Sequence, residues 1–204
     1  MQVRQRIAPR SPLLARIYTG FVDPSDSQLT PLPATDQVGN EIEPFVAEAV
    51  LLPWSAPEVA ETEWTLIDAR FGETIGLAGM HQPETVSAGQ TLTVTLLWQA
   101  TAAPGIDYTA FVHLLDNSGT SVAGYDAAPG GTRFPTRVWA AGDQILSEMV
   151  VALPEELPPG DYSTWLGLYE AGSVGAARLP VQEAGGHATA HEMIELGSIT
   201  VAHR

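Results

Sequence analysis

Leu157-Pro158-Pro159-Gly160-Asp161-Tyr162, followed at once by Ser163-Thr164-Trp165-Leu166-Gly167-Leu168-Tyr169, restricts this chain more than any other segment. Two prolines remove two backbone donors, and glycine takes positive φ without a Cβ penalty, so no helix runs through this corner. Beyond it the residues alternate. Tyr162, Thr164, Leu166 and Leu168 share one face, and Ser163, Trp165 and Tyr169 share the other. The segment is an extended strand entered through a sharp turn.

The same period of two recurs along the chain. In Thr91 to Gln99, Leu92, Val94, Leu96 and Trp98 lie on one face with threonines opposite. Tyr108 to Leu115 reads as a strand ending in Asp116-Asn117-Ser118-Gly119, a hairpin turn, with Ser121 to Tyr125 as its return. Further strands are read at 75–80, 144–153, 162–169 and 192–201. The 19 glycines and 16 prolines supply the turns between them. At 45% hydrophobic residues the chain has material for a real core, yet no amphipathic helix exceeds about two turns. A tyrosine opening a late strand just after Leu-x-x-Gly is similar to the tyrosine corner of immunoglobulin-like sandwiches, whose hydroxyl bonds back to upstream backbone. The expected fold over 64–204 is all-β, an immunoglobulin-like antiparallel β-sandwich of about seven strands.

The residues before it echo its end. Shifted by 147, residues 17–33 fall on 164–180 without a gap, so that Gly20 meets Gly167, Leu32 meets Leu179 and Pro33 meets Pro180. With two further residues inserted, Glu43, Val50 and Leu52 fall on Glu192, Ile199 and Val201. Residues 1–52 are therefore read as a truncated copy of a preceding sandwich, a two-strand remnant. Residues 53–63, with Pro53, Pro57 and three glutamates, are the linker. Two strands cannot build a core, so 13–52 are expected to lie on the complete domain, to pair with another chain, including by self-association, or to stay loose.

Charge excludes one class of partner. The nine basic residues are all arginine, against 24 acids, for a formal net charge of −15. Such a surface repels a phosphate backbone, so no nucleic acid is expected. With no cysteine there is neither a disulfide framework nor a thiolate site. The first 20 residues hold four arginines but no apolar stretch of signal-peptide length. No run approaches the ~20 apolar residues of a membrane span, so direct membrane insertion is not expected.

The stretch from Ala69 to Val181 resembles a domain of large bacterial membrane proteins, mostly polytopic mannosyltransferase-like glycosyltransferases. The resemblance is carried by Ala69-Arg70-Phe71-Gly72-Glu73, Leu96-Leu97-Trp98, Asp107 to Asp116, Phe134-Pro135-Thr136-Arg137-Val138-Trp139, the Pro-Pro-Gly-Asp-Tyr corner, Gly167-Leu168-Tyr169-Glu170 and Arg178-Leu179-Pro180-Val181. It covers a little over half of the chain. It implies a C-terminal immunoglobulin-like sandwich on the extracytoplasmic side of a membrane, beside sugar-handling machinery. It carries no catalytic residues, because the chemistry of that family sits in a membrane part that this sequence lacks.

Candidate sites are few. Tyr125, Arg133, Phe134, Arg137 and Trp139, in and just before the Gly/Pro-punctuated loop 127–143, form the candidate ligand-binding set. Aromatics there would stack on sugar rings or anchor a protein, and two of the few arginines accompany them. The competing reading has Phe134 and Trp139 plugging the sandwich edge while the arginines pair with acids. His113 shares a strand face with Phe111 and Leu115 and reads as a satisfied sheet histidine. His187 and His191, followed by Glu192 and Glu195, have metal-like spacing only on a helix, which Gly185 and Gly186 argue against. Asp116 to Gly119 lacks a calcium ladder, and a hairpin explains it. No metal, cofactor or catalytic residue is expected.

Two functional classes follow. The first is a non-catalytic extracytoplasmic accessory module that packs on a protein partner or neighbouring sandwich within a membrane-bound glycosyltransferase-like system. The second is a carbohydrate-binding module using the 127–143 loop. Exposed, coplanar loop aromatics would favour the second and buried ones the first.

Overall fold

The computed structural model describes residues 64–132, 134–173, 175–183, 189 and 192–202, with residue 38 and short strands between 13 and 51. The N-terminal strands are β1 (Leu13–Tyr18), β2 (Ala34–Thr35), β3 (Glu41–Ile42) and β4 (Phe45–Leu51). β1 pairs antiparallel with β4, from Leu13 opposite Leu51 to Tyr18 opposite Phe45, and β2 pairs with β3 over two residues.

Ten strands follow: β5 (Thr65–Phe71), β6 (Ile75–His81), β7 (Thr85–Ser87), β8 (Thr91–Ala100), β9 (Tyr108–Leu115), β10 (Ser121–Ala127), β11 (Gln144–Ala152), β12 (Gly160–Glu170), β13 (Val181–Glu183) and β14 (Ile194–Ala202). They form two five-stranded sheets, β11-β8-β6-β5-β13 and β10-β9-β12-β14-β7. Every pairing is antiparallel except β7 with β14, which is parallel. The fold is an all-β sandwich. β6, β8 and β11 lie in one sheet and β9, β12 and β14 in the other, an immunoglobulin-like division.

All seven strands expected from the alternation are present. The three additions are β5, β7 and β13, two of them only three residues long. The alternation also places the core correctly. Leu92, Val94, Leu96 and Trp98 on β8 are fully buried, as are Leu166 and Leu168 on β12. Burying each such side chain stabilises the fold by roughly 1.5–3 kcal/mol. Trp98 packs edge-on against Phe71, centroids 5.7 Å apart, and its indole N–H donates to Ser147 Oγ at 2.8 Å. The buried Thr164 hydroxyl finds partners in Gln82 Oε1 at 2.8 Å and the Gly197 carbonyl at 3.0 Å. At the corner, the Tyr162 hydroxyl donates to the Pro158 carbonyl at 2.8 Å, as the tyrosine-corner reading requires.

No helix among the described residues is long and apolar enough to cross a membrane.

Candidate functional site: an aromatic face on the outside of the second sheet

The 127–143 loop is a plug rather than a display. Phe134 and Trp139 are 1% and 2% exposed and belong to the core. Their rings stack 6.3 Å apart, and the Trp139 N–H donates to the Phe134 carbonyl at 3.0 Å. Between them lies a single 3-10 turn, Thr136–Val138. The buried Thr136 hydroxyl accepts from Tyr108 N and donates to the Ile106 carbonyl, both at 2.8 Å, which ties the loop to the start of β9. Arg137 pairs with Asp107 through its side chain and its backbone N–H. Neither ring is therefore available to stack on a ligand, a correction to the binding set read from the sequence. The physical reason is that both rings are part of the apolar core, where the bonds of Thr136 and Arg137 to residues 106–108 hold the turn between them. Tyr125 is 41% exposed on the edge strand β10, opposite Val112. Arg133 lies outside the described residues, as do His187 and His191.

The structure instead gathers aromatics on the solvent side of the second sheet. On β9 the outward positions are Thr109, Phe111 and His113; on β12 they are Ser163, Trp165, Gly167 and Tyr169. Pairing sets His113 opposite Trp165, Phe111 opposite Gly167 and Thr109 opposite Tyr169. On the other side of β9, Gly124 stands opposite His113 and Asp126 opposite Phe111.

The two glycines act as beds for the rings. A Cβ at Gly167 would overlap the Phe111 ring, and one at Gly124 would sit 2.8 Å from His113 Cδ2. Both rings therefore lie across neighbouring strands. Phe111 is only 2% exposed although it stands outside the main core. Its cover is the His113 ring (4.7 Å between centroids), the near-parallel Tyr169 ring (6.2 Å) and the Arg178 guanidinium (4.9 Å from the centroid). Such a cation–π contact at an exposed site contributes about 0.5–1 kcal/mol.

Arg178 reaches this place because the chain returns beside the end of β12. Tyr169 and Arg178 form an isolated antiparallel bridge, and Leu179 N donates to the Leu168 carbonyl at 2.8 Å. The Tyr169 hydroxyl donates to Asp126 Oδ2 at 3.0 Å, a link from β12 across β9 to β10. The Trp165 N–H donates to Ser163 Oγ at 2.9 Å, which holds the half-buried indole in place. Glu195 stands exposed opposite Trp165 on β14.

The electrostatics favour the neutral forms of His113 and Tyr169. Burial is the main cause that lowers the His113 pKa below 6.5; Arg178 lowers it further and Asp126 opposes both. Burial first, then the bond to Asp126, raises the Tyr169 hydroxyl above its ordinary value. The imidazole is then a neutral donor and acceptor at neutral pH, and the phenol remains a donor. Flat rings rimmed by an acid, a guanidinium and hydroxyls suit stacking and hydrogen bonding.

Other candidates are explained locally. Asp116 Oδ1 accepts from Ser118 N, Ser118 Oγ and Thr120 N at 2.8, 2.6 and 2.9 Å, which closes the hairpin. Those bonds, led by the one from the Ser118 side chain, hold its carboxyl below the ordinary range. A shallow groove on the outer face of the first sheet is lined by Leu66, Ile67, Ala78 and Gln99 among others and contains no aromatic ring. Among the described residues no three His, Cys, Asp or Glu side chains cluster as metal ligands would.

No protein-family model matches the chain, and no curated protein matches it significantly. Among solved structures it is similar to the crystal structure of the C-terminal domain of wzt, at 14% identity, with 70% of this chain and 80% of that one covered and a TM-score of 0.46. A likeness of that degree assigns neither ligand nor activity.

Proposed function

We propose that this chain is a non-catalytic accessory module of an extracytoplasmic, membrane-associated glycosyltransferase-like system, and that it engages its target through the outer face of β10, β9 and β12. The resemblance of Ala69 to Val181 to sandwich domains of such membrane proteins supports the setting. The observation that carries the reading is the assembly of His113, Trp165 and Tyr169 around the buried Phe111 on the outer side of the sheet, with Gly124 and Gly167 as beds for His113 and Phe111. Phe111 is buried beneath this surface, and His113, Trp165 and Tyr169, each half-buried, are the rings that reach solvent. The rings are held by the backbone and by hydrogen bonds, so a ligand meets them preorganised.

Residues 13–52 add self-association to this reading. β1 and β4 make a two-stranded sheet, and a sheet of two strands has an edge on each side able to accept a further strand. Light scattering on the full chain and on residues 60–204 tests that part, with association expected only for the full chain.

The experiment for the module itself is co-sedimentation of the full chain with cell envelopes from its native source. Binding is expected, and Trp165→Ala with Arg178→Gln should abolish it. Envelopes that bind neither form, or both forms equally, contradict the reading.

A further inference from the structure

We infer that this outer face is a saccharide site, built for a neutral pyranose chain rather than for a protein surface or a polyanion. The inference rests on the reading of this face as the module's binding surface and names the ligand's chemistry.

A pyranose presents an apolar patch of C–H bonds on its ring face and hydroxyls around its rim. A site for it needs a held aromatic plane with polar groups, able to donate and accept, set beside that plane. Here Trp165 is half-buried and its N–H is engaged by Ser163, so the indole offers ring surface rather than a polar edge. Its cross-strand neighbour His113 is also half-buried, and its imidazole stays neutral near pH 7. The rim carries both signs of hydrogen-bonding group. Asp126 is exposed and accepts from Tyr169 through one oxygen, leaving acceptor capacity on its carboxylate. Arg178 is exposed, lies over Phe111, and makes no ion pair among the described residues. Its guanidinium supplies donors in a fixed fork.

Two observations weigh against other ligands. A protein-docking patch is marked by protruding large apolar side chains, and among the described residues these are Val38, Leu66, Ile106, Tyr125, Leu146 and Val150. None of them belongs to the Phe111–Trp165 face. A polyanion is disfavoured by the formal net charge of −15 and by Asp126 and Glu195 flanking the rings beside Arg178.

The test is affinity electrophoresis of the full chain through gels holding mannan, dextran, galactan or, as the acidic control, alginate, followed by calorimetry with size-fractionated oligosaccharides of any retarding polymer. Retardation by at least one neutral polymer and not by alginate is expected. Trp165→Ala should weaken binding about tenfold or more. Arg178→Gln, at an exposed position where the fold loses only the cation–π contact over Phe111, should weaken it about threefold to tenfold. No binding to any neutral polymer up to about 10 mM sugar, a preference for alginate, or indifference to both substitutions overturns the inference. Envelopes treated with periodate or with protease separate this failure from that of the broader reading. If envelope binding depends on Trp165 and Arg178 but survives periodate and is lost to protease, the face binds a protein, and only the saccharide assignment falls.

Discussion

The Phe111 ring occupies the space that a side chain on Gly167 would fill, so an outward-facing phenylalanine is packed flat on the next strand instead of standing in solvent. The Glu192 carbonyl lies 3.1 Å from the same position and closes the other side. Gly167→Ala is therefore expected to lower stability by about 1–3 kcal/mol, since overpacking there must displace ring or backbone. Urea midpoints check this. Phe111→Ala in the same chain should recover part of the loss, and an unchanged midpoint for Gly167→Ala would show that the ring does not lie there.

Trp139→Ala should cost about 3–5 kcal/mol, the loss expected when a large buried aromatic leaves a cavity. A ring on an exposed binding loop would change stability by less than about 0.5 kcal/mol. Thermal or urea denaturation therefore separates a plug from a display, and a small effect contradicts the burial of this loop.

Tyr162→Phe removes the corner hydroxyl and leaves the Pro158 carbonyl without that partner. The expected loss is about 1 kcal/mol. Ligand binding should be untouched, because Tyr162 faces the core from the opposite side of β12 to Trp165. A change in affinity with unchanged stability would reverse that assignment.

His113 makes stability depend on pH. Its folded pKa lies below the unfolded value of 6.5, so between the two the unfolded chain binds more protons. This contribution is complete above pH 6.5 and is lost as pH falls toward the folded value. Asp126 and Arg178 are the charged groups acting on the ring. His113→Gln should flatten the stability–pH curve in that window, as measured by urea midpoints at stepped pH. An equal slope in both proteins would remove His113 as its source.

The sandwich was legible because alternation is a local property. Leu92, Val94, Leu96 and Trp98 declare a buried face without reference to any partner, and Pro158 to Tyr162 declare the corner. β7 and β13 escaped because three residues cannot show a period, and β5 because a bulge between Leu66 and Ala69 breaks its alternation. For the 127–143 loop the sequence leaves a display and a plug both open, because the contacts that decide it, from Thr136 and Arg137 to the residues at the start of β9, are about thirty residues apart in sequence. The aromatic face was half visible. Phe111 and His113 alternate outward on one strand and Trp165 and Tyr169 on another. Their meeting depends on β9 pairing with β12, some fifty residues later, and no local pattern encodes that.

One measurement bears most directly on the account: a 1H–15N NMR map of the full chain titrated with neutral oligosaccharides from a polymer that retards it. The indole N–H signals of Trp98 and Trp139 serve as internal controls, both side chains being buried. The account predicts shifts at the Trp165 indole and at the amides of Phe111, His113, Asp126 and Tyr169, with Trp98 and Trp139 silent. Shifts centred on 127–143 or on the outer face of the first sheet, with the Trp165 signal unmoved, would contradict it.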